Sequence, residues 1–180
     1  AFVTKRNERV IERFTQEASP KAVIAGKEYR VFNSNDYLGL RHNPVLKQAE
    51  HEMSQACGTG PGAVRFISGS FEVHVKLEEA LAQFHGQEAA IVFSSAFAAN
   101  LATLFSLIKP QNKDSLVSGN TLVISDELNH RSIIDGIRLA NLSSEQKPIF
   151  VHLNMDSLRE ILQNNVGKYD RVLVVTDGVF

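Results

Sequence analysis

The sequence predicts an α/β fold in which helices cover a mostly parallel sheet. Three observations predict it. From Ala89 onward, short Val/Ile-rich runs alternate with amphipathic segments. Those runs are apolar almost throughout, as strands buried on both faces are. Small, polar or acidic residues follow them, at the carboxyl ends of strands where ligands gather in such sheets.

The elements follow in order. The first thirty residues are charged and mixed, and predict a helix from about Thr4 to Gln16 and a short hairpin around Ala25-Gly26. Asn33 to Leu40 reads as a loop-like crossing segment. Asn43 and Pro44 start a helix, as cap and first-turn proline. Leu46, Ala49, Met53 and Ala56 give that helix one apolar stripe. A glycine-rich break runs from Cys57 to Gly62. Val73, Leu77, Ala80, Leu81 and Phe84 form a second amphipathic helix, closed by Gly86. The alternation then begins: strand Ile91 to Phe93, helix Ala98 to Ile108, strand Thr121 to Ile124 and helix Ser132 to Ala140. It continues with strand Pro148 to Leu153, helix Ser157 to Asn164 capped by Asp156, and strand Arg171 to Thr176. Residues 1–42 are thus an N-terminal helix and connecting segment, and 43–180 the first part of a larger domain. Only Gly178, Val179 and Phe180 follow the last strand. A sheet of this class rarely stops there without a covering helix, so the chain is expected to be the front part of a longer protein.

Composition narrows the function classes. The 180 residues are 43% hydrophobic, enough for one ordinary core. With 19 basic and 20 acidic residues, the net charge of −1 offers no field for nucleic acid or an anionic membrane. No apolar stretch reaches the ~20 residues of a membrane span. The single cysteine, Cys57, excludes an internal disulfide and fits a reducing, cytoplasmic setting.

Some motifs exclude and others invite. Gly58-Thr59-Gly60-Pro61-Gly62-Ala63 matches a dinucleotide fingerprint in letters, but it follows a helix rather than a strand. No Gly-Lys-Ser/Thr loop occurs. Glu127 and His130 have the spacing of a metal pair, yet no second Glu-x-x-His exists, and no metal site is expected. Ser94, Ser95, Ala96 and Phe97 lie at a strand-to-helix turn. Free N–H groups there favour an anion such as phosphate; small residues chosen for tight packing give the same letters. His130 is either a loop histidine or, following a strand and Asn129, an aromatic cover for a ligand. Asp177 is either a turn aspartate or a site carboxylate at a strand end. Arg65 is either a surface cation or a carboxylate binder.

Four segments in order carry a resemblance. They are Ser34-Asn35-Asp36-Tyr37-Leu38-Gly39-Leu40; Ser94-Ser95-Ala96-Phe97-Ala98-Ala99-Asn100; Asp126-Glu127-Leu128-Asn129-His130 with Ser132-Ile133-Ile134-Asp135-Gly136-Ile137-Arg138; and Val174-Val175-Thr176-Asp177-Gly178-Val179-Phe180. Val64-Arg65-Phe66-Ile67-Ser68-Gly69 also fits. Together they resemble the α-oxoamine synthases, pyridoxal-phosphate (PLP) enzymes of the aspartate-aminotransferase fold, fold type I. The resemblance implies a partial PLP-binding large domain and decarboxylative condensation of an amino acid with an acyl-CoA. It implies Ser95, Ala96 and Phe97 at the cofactor phosphate, His130 stacked on the pyridine ring, and Asp177 near the cofactor. Asn35 and Arg65 match positions on the substrate side, in active sites shared across a homodimer. The family's cofactor-capturing lysine lies downstream of Thr-Asp-Gly-Val-Phe, so the chain alone is expected to be inactive. Arg131 replaces a small residue usual after Asn-His, and Gln111 to Asn120 reads as an insertion. A scaffold subunit, or another fold-type-I aminotransferase or lyase, fits the same segments.

Overall fold

The computed structural model describes residues 14–18 and 20–180. They fall into two compact units, one ending at Glu72 and the other running from Val73 to Phe180. The boundary expected between residues 42 and 43 lies inside the first unit.

The first unit opens with an antiparallel sheet of β1 (Phe14–Ala18), β2 (Lys21–Ile24) and β3 (Lys27–Arg30), in that order. The helix expected from Thr4 to Gln16 is corrected here. Its first ten positions lie outside the described residues, and Phe14 to Gln16 are strand, with Phe14 opposite Ile24 and Gln16 opposite Val23. A strand partner met later in the chain overrides local helical preference. The hairpin forms where expected. Ala25 and Gly26 both have positive φ, 48° and 77°, the backbone that lets a two-residue turn follow the strands' twist.

Beyond a single 3-10 turn at Leu40–His42 comes α1 (Pro44–Cys57). Asn43 Oδ1 accepts the Val45 N–H at 2.9 Å, satisfying a first-turn donor as its sequence position predicts. The apolar stripe of α1 stays open: Leu46 is 50% exposed and the helix buries no residue. A short α2 (Arg65–Ser68) follows the glycine-rich break.

The second unit takes in α3 (Glu72–His85) from its second residue on, then α4 (Ala96–Ile108), β4 (Thr121–Asp126), α5 (Arg131–Leu139), β5 (Ile149–Phe150), α6 (Met155–Asn164) and β6 (Arg171–Val175). Gly86, at φ 62°, closes α3 as expected, and the Gln87 N–H reaches back to the Ala82 carbonyl at 2.9 Å. The sheet is parallel, ordered β5-β4-β6. Thr121 pairs with Arg171 at one end and Ser125 with Val175 at the other.

Alternation along β4 builds two cores. Val123 packs with Leu104 and Ile108 of α4 and Ile133 and Ile137 of α5. Leu122 and Ile124 face the other way, joining Phe150 with Leu158, Ile161 and Leu162 of α6. All three β4 side chains are fully buried, each contributing about 2 kcal/mol of apolar burial. The unit is therefore helix–sheet–helix, as the alternating pattern predicts.

Four expectations need correction. Ile91 to Phe93 is not a strand: the described sheet is β5-β4-β6, and neither of its outer edges pairs with the segment. The Val92 N–H instead donates to Glu78 Oε1 at 2.9 Å. The Pro148 to Leu153 strand is reduced to Ile149 and Phe150, since only Ser125 and Asp126 lie opposite it. The cap of α6 is Asn154, whose Oδ1 accepts the Ser157 N–H at 2.9 Å, and Asp156 lies inside the first turn. Finally, α4 starts at Ala96 and α5 at Arg131, each earlier than its apolar pattern, because Ser95 and His130 are the caps.

Candidate cofactor site

At the start of α4, Ser95 is extended and its Oγ accepts the Ala98 N–H at 3.1 Å. That acceptance leaves the hydroxyl hydrogen free to donate outward. The N–H groups of Ala96 and Phe97 open the helix ahead of any carbonyl four residues back. All three residues are exposed, so the positive end of a 13-residue helix faces open space. Polar atoms so placed fit a phosphate.

His130 reaches the same unit's sheet end from α5. Its Nδ1 accepts the Ser132 N–H at 3.2 Å and lies 2.7 Å from Ser132 Oγ, so the imidazole itself caps the helix. The ring is exposed and sits edge-on to Phe97, centroids 6.3 Å apart at 79°. An exposed ring of fixed tilt is suited to cover a flat ligand.

Asn129 holds this turn in place. Only 4% exposed, it donates from Nδ2 to the Val175 carbonyl at 2.8 Å and to Ser125 Oγ at 3.0 Å, and its Oδ1 accepts the Asp177 N–H at 2.9 Å. One buried amide thereby stitches the carboxyl ends of β4 and β6. Asp177 Oδ2 completes the stitch by accepting the His130 N–H at 2.7 Å.

The second unit thus brings Ser95, Ala96, Phe97, His130 and Asp177 to one framework. Asn35 and Arg65 belong to the first unit. Asn35 is exposed beside a turn in which Ser34 Oγ accepts the Asp36 N–H at 3.1 Å. Arg65 begins α2, its Nε donating to Ser70 Oγ at 2.6 Å.

Sequence reasoning missed a neighbouring pair. Asp126, 4% exposed at the end of β4, lies 3.0 Å by Oδ2 and 3.1 Å by Oδ1 from His152 Nδ1. Burial raises the Asp126 carboxyl, but the Leu128 N–H, the His152 hydrogen bond and its charge outweigh burial and hold it below the ordinary range. The His152 N–H donates to Glu127 Oε1 at 2.8 Å, and its ring lies 4.3 Å from that of Phe180. The available signal was position: His152 follows β5 at the ligand-bearing end of the sheet. Among the described residues no cluster of three metal-ligating side chains forms, and no helix is long and apolar enough to cross a membrane.

The chain is similar in sequence and fold to known proteins. The sequence pattern of the aminotransferase class I and II family matches residues 27–180. An 8-amino-7-oxononanoate synthase of Symbiobacterium thermophilum is 41% identical over 172 residues, covering 96% of this chain and 41% of the relative. A serine palmitoyltransferase of S. paucimobilis, solved with a bound PLP–myriocin aldimine, superposes with a TM-score of 0.82 at 31% identity, over 94% of this chain and 40% of that one. An 8-amino-7-oxononanoate synthase of Francisella tularensis gives a TM-score of 0.57 at 26% identity, over 78% and 35%.

The chain belongs to the aminotransferase class I and II family, pyridoxal-phosphate enzymes of fold type I. Its relatives fall in the α-oxoamine synthase branch, and it spans about two-fifths of their length.

Proposed function

We propose that this chain is the N-terminal part of a PLP-dependent acyltransferase that condenses an amino acid with an acyl-CoA, releasing CO₂. The observation that carries the reading is the meeting, at one end of one sheet, of the exposed α4 N-terminus with an exposed imidazole that caps α5.

Bound PLP would supply an electron sink for the carbanion formed at the amino acid's α-carbon. The chain's own residues do the holding. The Ala96 and Phe97 N–H groups and the Ser95 hydroxyl bind the cofactor phosphate, assisted by the helix dipole. His130 covers the pyridine ring and fixes its tilt. Asp177 keeps His130 in place through its backbone N–H and would add negative charge near the cofactor. Asn35 and Arg65 serve the substrate side, Arg65 toward a carboxylate. The active enzyme is a cytoplasmic homodimer with shared sites, and the cofactor-capturing lysine comes from sequence downstream of Phe180.

The test uses the full-length protein. Adding PLP is expected to produce a visible absorbance band that shifts with glycine, alanine or serine. Adding acyl-CoA is then expected to release free CoA from the thioester and CO₂ from the amino acid's carboxylate. A band that shifts while the amino group is merely exchanged, with no CO₂ released, would instead indicate an aminotransferase.

A further inference from the structure

We infer that Ser132 and Asn100 are positioning residues that lock His130 in the tautomer carrying its proton on Nε2. The inference rests on the cofactor reading only for its catalytic consequence.

The Ser132 N–H lies in the first turn of α5, where no helical carbonyl can accept it, and Ser132 is 1% exposed, so water cannot. Its acceptor is His130 Nδ1, at 3.2 Å. A nitrogen accepting that bond cannot also carry a proton in the same direction. Ser132 Oγ lies 2.7 Å from the same Nδ1 and also accepts from Asn100 Nδ2, at 2.9 Å. The Ser132 N–H needs an acceptor lone pair on Nδ1, so across the 2.7 Å contact it is the Ser132 hydroxyl hydrogen that points to Nδ1, while Oγ keeps its lone pairs for Asn100. Two donors therefore converge on one ring nitrogen, and the proton of the neutral ring is left on Nε2.

Helix packing makes the relay possible. Asn100 and Leu104 on α4 face Ser132 and Gly136 on α5, each pair one turn apart. A Cβ on Gly136 would come within 3.2 Å of the Asn100 carbonyl and 3.1 Å of Leu104 Cδ1. The missing side chain lets the helices approach closely enough for the Asn100–Ser132 bond. The edge of the imidazole away from α5 is then a hydrogen-bond donor, and a ligand group lying in the ring plane at that edge meets an N–H rather than a lone pair.

The experiment is nitrogen-15 NMR of full-length protein carrying labelled histidine, at about pH 9, above the ordinary histidine range. The His130 signals are assigned by their loss in H130Q. Nδ1 is expected among unprotonated ring nitrogens and Nε2 among protonated ones. S132A is expected to raise the Nδ1–H fraction about fivefold, the equivalent of one ordinary hydrogen bond, and N100A to raise it less. A wild-type proton on Nδ1, or either variant indistinguishable from wild type, overturns the relay. PLP titration of H130A separates the two readings. Undiminished affinity there contradicts the cofactor site and leaves the tautomer assignment standing. Weakened affinity with the wrong tautomer does the reverse.

Discussion

The backbone N–H of His130 donates to Asp177 Oδ2 at 2.7 Å. Forty-seven residues separate the two, and the bond ties the cap of α5 to the loop leaving β6. The imidazole is therefore oriented twice, through its backbone by Asp177 and through its ring by Ser132.

Removing that carboxylate tests the first restraint. A hydrogen bond to a charged acceptor contributes about 1.5–3 kcal/mol. D177A in the full-length protein is expected to weaken PLP binding at least about tenfold, and D177N, which keeps an acceptor oxygen, to weaken it less. A cofactor titration followed by absorbance measures both.

Asn129 is buried and its side chain makes three hydrogen bonds. N129A would strand the half-buried Val175 carbonyl and the half-buried Asp177 N–H together. The expected loss is about 2–4 kcal/mol of stability, read as a lower urea midpoint.

Acid stability follows from Asp126. Its carboxyl is held below its ordinary value of 3.8 in the folded chain. A depressed folded value contributes stability that is fully present above the ordinary value. That stability is lost as pH falls from there through the folded value. Urea midpoints measured between about pH 5 and 2 are expected to fall in this window. D126N is expected to be less stable at neutral pH, with a flatter acid limb.

Packing between α4 and α5 has its own test. G136V must push apart Leu104 and the Asn100 backbone, and is expected to cost about 2–3 kcal/mol. G136A gains about 1 kcal/mol of helix propensity against a contact tight by a few tenths of an ångström, and is expected to stay within about 1 kcal/mol of wild type. Thermal unfolding compares the two.

What was legible in the sequence was local. Asn43, Gly86 and the Ala25-Gly26 turn announce themselves because each works within a few residues. The alternation from β4 to β6 was legible because period and turn chemistry agree. Ile91 to Phe93 was misread because a strand is a pairing, and its letters cannot say whether a partner edge is present. Phe14 to Gln16 erred the other way, helical by local composition but claimed by β2. The segment holding Ser95 to Phe97 and His130 stood out by position. The bonds of Asn129, Asn100 and His152 did not, since all their partners but Ser125 lie 25 to 48 residues away.

The most direct measurement is a crystal structure of the full-length protein with PLP. Phosphate oxygens are expected about 2.7–3.2 Å from the amide nitrogens of Ala96 and Phe97, with the His130 imidazole in face contact with the pyridine at about 3.5–4 Å. A phosphate held on another element, or a pyridine face that the His130 ring does not touch, would contradict the account.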